Sequence, residues 1–409
     1  MTKSKKLALS LALMMGATVG AQAIDTNNAE AYVSDKFRLE VNGVYSYFHD
    51  PAGDYYTTFN TMAVGNKASG GDGTITKTNK NDAKHIQNGW NNYTRVVFRY
   101  DVDKNTKFFA RLHSGYDLYS DGYSYSSNSS YFDQGYFTFK DPVANVTYLI
   151  GKRGMTLGQS MVYNGTGNQT GVQITFGNWW DPNNLMLFWG DRKNGNRIMG
   201  AQGYFSPVKN LQLGAAYFRA DIAKYNTFAL NKSGDIVKEN GKAVKPAPTD
   251  TKVVFTDYDY YNKRNNFIDF TAKYKFHGCT LVGEWARNTS GNPEYTGKNG
   301  SDRAWFVELY TGPTNDFGSD LPNQKVGTHV FSMRWQDIGR NGTTGVHNNT
   351  FYDDMKGLRL DYGYVFKKGM SVDLVYGRMK NKGTGTDFAW TSKGDYNNII
   401  VGSLSFKLK

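Results

Sequence analysis

The chain has 409 residues, a formal net charge of +12 and a mean hydropathy of −0.59. These values predict no apolar helix that crosses a membrane after the first residues, and the scattered basic residues argue against nucleic-acid binding. The single cysteine, Cys279, excludes an intramolecular disulfide and a cysteine-based metal site. With 15% aromatic residues, 45 glycines and only 9 prolines, the composition suits many turns and few interrupted strands.

The first residues have the pattern of a cleaved export signal. Three lysines lie within the first six residues, and the apolar run over residues 7–20 is shorter than the roughly 18 residues that a membrane span requires. The small residues at 21–23 match a cleavage site, which predicts a signal peptide over residues 1–23 and one mature domain over residues 24–409. Cleavage before Ile24 would remove the three lysines and no acid, lowering the formal charge from +12 to +9.

Beyond residue 36, apolar and polar side chains alternate in a series of strands. In the first strand Phe37, Leu39 and Val41 share one face, whereas Arg38 and Glu40 share the other. The predicted strands cover residues 37–48, 90–100, 106–116, 131–139, 146–152, 170–177, 185–191, 197–205, 211–220, 266–276, 280–286, 302–311, 327–336, 358–366, 370–379 and 396–408.

Short and long connections alternate between these strands. Aromatic residues such as Tyr100, Phe139 and Phe366 end strands just before tight turns rich in Asp, Lys, Pro and Gly. Long polar loops cover residues 49–89, 117–130 and 222–264. Short turns at one end, long loops at the other and aromatic strand ends are typical of a transmembrane β-barrel. We therefore predict an all-β chain that forms one antiparallel up-and-down barrel of about sixteen strands.

A soluble β-sandwich is the alternative fold, because it also contains alternating strands at short spacing. It does not explain the aromatic strand ends or the regular alternation of short and long connections. Strand counts of fourteen and eighteen stay open, since residues 170–177 and 185–191 give the weakest strand patterns. Residues 312–325 are also long for a connection at the short-turn end.

Residues that line the inner wall of such a barrel lie on the strand face opposite the apolar one. A barrel of this size encloses a water-filled channel, and charged rings and pore diameter decide which solutes pass. The predicted basic lining residues are Arg38, Arg95, Arg99, Arg111, Lys273, Lys275, Arg334 and Arg359. The predicted acidic lining residues are Glu40, Asp269, Glu284, Glu308, Asp361 and Asp373.

Two of these arginines suggest a selectivity. A turn centred near residues 103–104 would pair the second and third strands so that Arg95 lies close to Arg111 and Thr94 close to His113. Adjacent like charges are unfavourable unless water, an acid or a passing anion compensates them. Either acids across the lumen neutralise the two arginines, or they form a basic strip with Lys152 and Arg153 that gives a weak anion preference.

The signal-like start, the hairpin series and the amphipathic last strand resemble the Gram-negative outer-membrane porins, sixteen-stranded general diffusion channels. This resemblance implies a homotrimer in the outer membrane, in contact with lipid and lipopolysaccharide. It also implies that residues 153–169 fold into the barrel as a constriction loop. The residues predicted to act there are Lys152, Arg153, Gln159, Tyr163 and Asn164.

The chain departs from the porin pattern in two places. Porins usually end on an aromatic residue, whereas this chain ends Leu408-Lys409, which puts the assembly signal in question. Porin constriction loops usually carry acids, whereas no Asp or Glu occurs between Asp141 and Asp181. The sequence therefore predicts no transverse field of the kind that favours cations.

These features predict a passive channel for small hydrophilic solutes and ions, with no cofactor, no metal and no catalytic site. None of the six histidines has metal-ligand spacing, and no nucleophile elbow is present. The alternatives are a porin specific for sugars or anions, a barrel whose loops bind partners without conducting, and a barrel enzyme. The enzyme needs a Ser/His or acid pair at one rim, which the sequence does not supply.

Overall fold

A computed structural model describes most of the strands and short turns of the chain. The described residues are 36–49, 63–64, 75–77, 88–119, 124–125, 130–177, 183–192, 197–221, 224–229, 238–239, 242–243, 253–259, 264–290, 302–339, 342–344, 355–382 and 396–408. The predicted signal peptide and most of the loops over 49–89 and 222–264 lie outside these ranges. Within the ranges, no helix is long and apolar enough to cross a membrane.

Sixteen long strands form one closed antiparallel barrel. Each strand pairs with its neighbours in the chain, and β1 also pairs with β16, so the sheet has no free edge. The strands are β1 (Phe37–His49), β2 (Asn88–Asp101), β3 (Thr106–Tyr119), β4 (Tyr131–Asp141), β5 (Val146–Leu157), β6 (Tyr163–Phe176), β7 (Asn184–Arg192), β8 (Arg197–Val208), β9 (Leu211–Asp221), β10 (Arg264–Phe276), β11 (Cys279–Asn288), β12 (Arg303–Thr311), β13 (His329–Ile338), β14 (Met355–Lys367), β15 (Met370–Asn381) and β16 (Asn397–Leu408).

Short strands lie in the connections between the barrel strands. Ala63–Val64, Ile75–Lys77, Lys224–Ala229 and Val253–Asp259 form a small separate sheet, and Lys238–Glu239 pairs with Lys242–Ala243. Ser124–Tyr125 pairs with the end of β3. The long connections that the sequence predicts as polar loops therefore contain some sheet of their own.

Side-chain alternation separates the two faces of the wall. In β13, Phe331, Met333 and Trp335 are exposed on the outer face, whereas Ser332 and Arg334 are buried on the inner face. An apolar exterior and a polar interior are the pattern of a barrel that crosses a lipid bilayer. The prediction of a sixteen-stranded barrel is confirmed, and the two weakest strand predictions correspond to β6 and β7.

Polar side chains shape the short turns. In the β2–β3 turn, Asp103 accepts hydrogen bonds from the backbone N–H groups of Asn105 at 2.7 Å and Thr106 at 2.8 Å. These bonds stabilise the carboxylate and lower the pKa of Asp103. Asp141 makes the same contacts with Val143 and Ala144 in the β4–β5 turn. Such Asx turns reverse the chain within a few residues.

The β12–β13 connection is different from the other short-turn connections. Residues 312–328, called the inward segment here, contain a 3₁₀ turn over Leu321–Asn323 and pack inside the barrel. Phe317 and Leu321 form a buried apolar cluster with Val330 and Val365, which lie on the inner faces of β13 and β14. The length that is unusual for a turn thus reflects a segment that folds into the lumen.

The seam between β1 and β16 depends on a glycine. Gly43 lies directly opposite Phe406, whose ring stacks with Tyr45 at a centroid distance of 5.9 Å. A Cβ atom added to Gly43 would lie 2.4 Å from the carbonyl oxygen of Tyr93 and 2.7 Å from the Phe406 ring. The aromatic ring therefore covers the space above the glycine and packs the closing pair of strands.

We expect Gly43→Ala to destabilise the folded barrel by about 1–3 kcal/mol, because the added methyl group overpacks the closing strands. The urea midpoint of refolded protein in detergent measures this change. Gly402→Ala is the matched control, since Gly402 lies in the same seam and a Cβ there meets nothing within 4 Å. Equal midpoints for the two variants would contradict this account of the seam.

Candidate functional site

A hairpin formed by β5 and β6 extends into the lumen. The register between the two strands shifts between Arg153 and Met155, and the pair then continues to Leu157 and Tyr163. A shift of this kind bends the paired strands away from the wall. The tip consists of residues 158–162, which is much shorter than the loop predicted over residues 153–169.

The structure places the predicted constriction-loop residues along this hairpin. Lys152 and Arg153 belong to β5, Tyr163 and Asn164 belong to β6, and only Gln159 lies in the tip. Tyr163 is fully buried and therefore does not face the channel. Most of the segment predicted as an inward-folded loop over residues 153–169 is instead a paired hairpin, because backbone pairing between β5 and β6 satisfies most of its hydrogen bonds.

Hydrogen bonds attach the hairpin tip to the opposite wall. The Gly158 N–H donates to Oε1 of Gln202 at 2.7 Å, and the Tyr204 hydroxyl donates to the Gly158 carbonyl at 3.0 Å. The N–H groups of Met161 and Val162 donate to the Glu284 carboxylate at 3.3 and 3.4 Å. These contacts come from β8 and β11, so they fix the tip across the lumen from its own strands.

Apolar packing joins the hairpin to the same part of the wall. The inner faces of β7 to β13 carry many apolar side chains there, and the tip covers them. The buried cluster includes Leu157, Met161 and Val162 from the hairpin and Met186, Phe188, Ile198, Phe218, Phe267, Val282 and Phe306 from the wall. This part of the lumen is a hydrophobic core and not an aqueous surface.

Two predicted acidic lining residues lie beneath the hairpin tip. Asp269 and Glu284 are 1% and 2% exposed, and a Cβ on Gly158 would lie within 2.3 Å of a carboxylate oxygen of each. The prediction that they line an open pore is wrong, since the hairpin tip covers both side chains. Their position instead identifies Glu284 as an acceptor that holds the tip.

Two further pairs of predicted lining residues neutralise each other. Arg334 donates to Glu308 at 2.6 Å, and Arg359 donates to Asp361 at 2.7 Å. Arg334, Glu308 and Asp361 are at most 6% exposed, and Ser332 adds a hydrogen bond to Glu308. Removing one partner of such a pair would leave a buried charge uncompensated. While paired, these residues present no free charge to the lumen.

The remaining basic residues concentrate on β2 to β5. Arg95 and Arg99 on β2 and Arg153 on β5 lie on the inner face and are at least partly accessible, whereas the predicted Lys152 shares the outer face of β5 with the exposed Tyr148 and Ile150. Lys152 donates to the Phe132 carbonyl and Arg153 donates to Oε1 of Gln173, both of which are neutral acceptors. We call Arg95, Arg99 and Arg153 the basic arc.

The register of β2 and β3 places Thr94 opposite Ser114, one residue from the predicted His113, and keeps Arg95 near Arg111. Arg95 lies opposite His113, and Arg111 lies opposite Val97, so the two arginines are diagonal neighbours. Arg111 instead forms a two-point ion pair with Asp133, with contacts of 2.8 and 2.6 Å. Asp133 occupies a bulge in β4, and the sequence pattern alone does not identify it because the bulge changes the face on which it lies.

Arg95 is the most distinctive member of the basic arc. Its guanidinium lies 4.0 Å from the centre of the Tyr93 ring, and its Nε donates to Nδ1 of His113 at 3.1 Å. No carboxylate within the described ranges lies at ion-pair distance from Arg95. Its charge is thus held by an aromatic face and an imidazole, which leaves it available to attract anions.

The other predicted lining residues have charged, polar or aromatic neighbours on the wall. Arg38 pairs with Asp101 at 2.6 Å, and Glu40 lies 4.0 Å from Arg99. Lys273 lies 5.9 Å from the Tyr310 ring centre. Asp373 on β15 is half-buried and interacts with Ser403 and Asp361. Within the described ranges, no cluster of His, Cys, Asp and Glu could hold a metal ion.

Comparisons with known proteins support the fold. No family model matches the chain, and no curated protein matches it in sequence. OprB of Pseudomonas putida shares 12% identity with a TM-score of 0.54, over 94% of this chain and 97% of that chain. A mutant porin of Rhodopseudomonas blastica shares 11% identity with a TM-score of 0.47, over 91% and 100%. The chain has the closed antiparallel barrel fold of the porins.

We expect Gly158→Ala to move the hairpin tip off the wall, because its Cβ collides with the Asp269 and Glu284 carboxylates. In single-channel recordings the variant should show a lower mean conductance and more frequent closures. Gly278→Ala is the matched control, since both glycines have positive φ, at 60° and 77°, but a Cβ on Gly278 meets nothing within 4 Å. The control carries the same left-handed strain of roughly 1–2 kcal/mol and should conduct like the parent protein.

Proposed function

We propose that the protein is a passive diffusion channel of the bacterial outer membrane for small hydrophilic solutes and ions. The observation that carries this proposal is the contrast between the two faces of the closed wall. Its outer face is apolar, whereas charged side chains on its inner face, such as Arg99 at 49% and Lys107 at 57% exposure, are accessible to water. A wide barrel with a wet, charged interior conducts by electrodiffusion and needs no energy coupling.

A weak anion preference follows from the distribution of charge around the lumen. Glu308 and Asp361 are neutralised by arginines, and Asp269 and Glu284 are covered by the hairpin tip. The accessible charge on β2 to β5 is therefore mainly that of the basic arc. A surface of one sign raises the local concentration of counter-ions and their rate of entry.

Export and assembly complete the proposal. A signal peptide over residues 1–23 would direct the chain to the periplasm, from which the barrel inserts into the outer membrane. The apolar outer wall would contact lipid and lipopolysaccharide, and a homotrimer is the assembly that the porin fold favours. Cross-linking of the purified protein in detergent, followed by mass determination, tests the trimer directly.

Planar-bilayer recording across a salt gradient tests the channel and its selectivity. We expect stepwise conductance and a reversal potential of the sign given by an anion preference, which Arg95→Gln should reduce. Arg303→Gln is the matched control, because Arg303 is an exposed arginine on the outer face of β12 and should leave selectivity unchanged.

Three results would contradict parts of this proposal. Absence of steps from demonstrably folded protein would contradict the channel and favour a barrel whose loops bind partners. Saturable block by one sugar or anion would replace general diffusion with a substrate-specific pore. Equal selectivity for Arg95→Gln and the parent protein would contradict the role of the basic arc.

A further inference from the structure

The inward segment enters the lumen from the end opposite the long loops. It connects β12 to β13 at the short-turn end, whereas the β5–β6 hairpin enters from the other end. Asn315 donates to the Glu308 carboxylate at 2.9 Å, so the segment is attached to the inner face of β12. The lumen therefore contains two inward structures that approach from opposite ends.

Packing against three sides holds the inward segment in place. A Cβ on Gly363 of β14 would lie 2.5 Å from Phe317 and 2.5 Å from Leu321, so only glycine leaves room for these side chains. A Cβ on Gly318 would lie 3.6 Å from Val44, which is near the middle of β1. The segment thus spans from β12 and β14 to β1 and reaches well inside the barrel.

The inward segment carries a carboxylate to the basic side of the lumen. Val44 pairs with Tyr93, and the Tyr93 ring supports the guanidinium of Arg95. Tyr93 interacts electrostatically with Arg95 and Arg111 and also with Asp316 and Asp373. Tyr93 is therefore a point at which the basic and the acidic sides of the lumen meet.

Asp316 is exposed to water although protein surrounds it on most sides, as expected for a side chain in a channel. Its Oδ1 accepts a hydrogen bond from the Ser319 N–H at 2.8 Å, which fixes the direction of the carboxylate. No basic side chain of the described residues lies at ion-pair distance from Asp316. The carboxylate is held in position without being neutralised, and Asp320 adds a second acid nearby.

We propose that the inward segment is a second constriction of the channel and that Asp316 is the residue on it that limits the anion preference. The proposal rests on the proposed channel function. The basic arc attracts anions along one side of the lumen, and Asp316 brings a negative charge to that side, where Tyr93 interacts with both Arg95 and Asp316. A solute passing there experiences both signs of charge, so the selectivity depends on their balance.

Neutralising Asp316 tests its effect on selectivity. Asp316→Asn preserves the shape and the oxygen that accepts the Ser319 N–H, and it should raise the anion/cation permeability ratio by roughly twofold at low salt, where screening is weak. Asp141→Asn is the matched control, because Asp141 accepts the same kind of backbone hydrogen bond in a turn outside the lumen. Equal ratios for the two variants would overturn the role of Asp316.

A cross-link tests the position of the inward segment independently. In a Cys279→Ser background, Val44→Cys and Gly318→Cys should form a disulfide in the folded barrel, since a Cβ on Gly318 lies 3.6 Å from Cγ2 of Val44, near the position that the new Sγ would take. Val44→Cys with Val326→Cys is the control pair, because Val326 is exposed at the far end of the segment. Oxidised protein should retain its conductance, since the disulfide fixes the segment where it already lies.

The outcomes separate this proposal from the channel function. Failure of the parent protein to conduct would contradict the channel and leave the cross-link as the test of the segment. A conducting protein in which the cysteines introduced at positions 44 and 318 form no disulfide would overturn the second constriction. If the protein conducts and forms the cross-link but Asp316→Asn leaves the anion/cation permeability ratio unchanged, the assignment of Asp316 would be overturned.

Discussion

Closure of the backbone hydrogen-bond network is the constraint on which the structure depends. A membrane offers no water to an unpaired strand edge, so every strand must have two partners, and β1 and β16 must pair with each other. Sixteen strands satisfy this condition but enclose more space than the side chains of the wall can fill. The shape of the channel is therefore decided by what folds inside the ring.

Two segments occupy the interior of the barrel, and different interactions hold each of them in place. The β5–β6 hairpin keeps its backbone paired with itself and buries apolar side chains against β7 to β13. The inward segment has little regular structure and is held by Phe317, Leu321 and the Asn315–Glu308 hydrogen bond. The ion pairs Arg334–Glu308 and Arg359–Asp361 lie on the wall between them.

The sequence predicts the wall well because alternation is a local property. The strand pattern of β7 is weak for a physical reason: Leu185 to Trp189 are apolar without alternation, since lipid covers one face and the hairpin tip covers the other. Interior contacts depend on residues far apart in the chain, so the covering of Asp269 and Glu284 could not be read from their own strands. A bulge has a similar effect, since the bulge at Asp133 in β4 moves an acid beside Arg111.

The apolar patch beneath the hairpin tip has a consequence for attempts to widen the channel. Phe188, Ile198, Phe218 and Phe267 face the lumen, yet none is more than 4% exposed while the tip covers them. Shortening the hairpin would expose this apolar surface inside the barrel, and water leaves narrow spaces that are bounded by apolar surfaces. A barrel with a shortened hairpin would have a wider lumen but also a dewetted region. Its ionic current would therefore not increase in proportion to the cross-section.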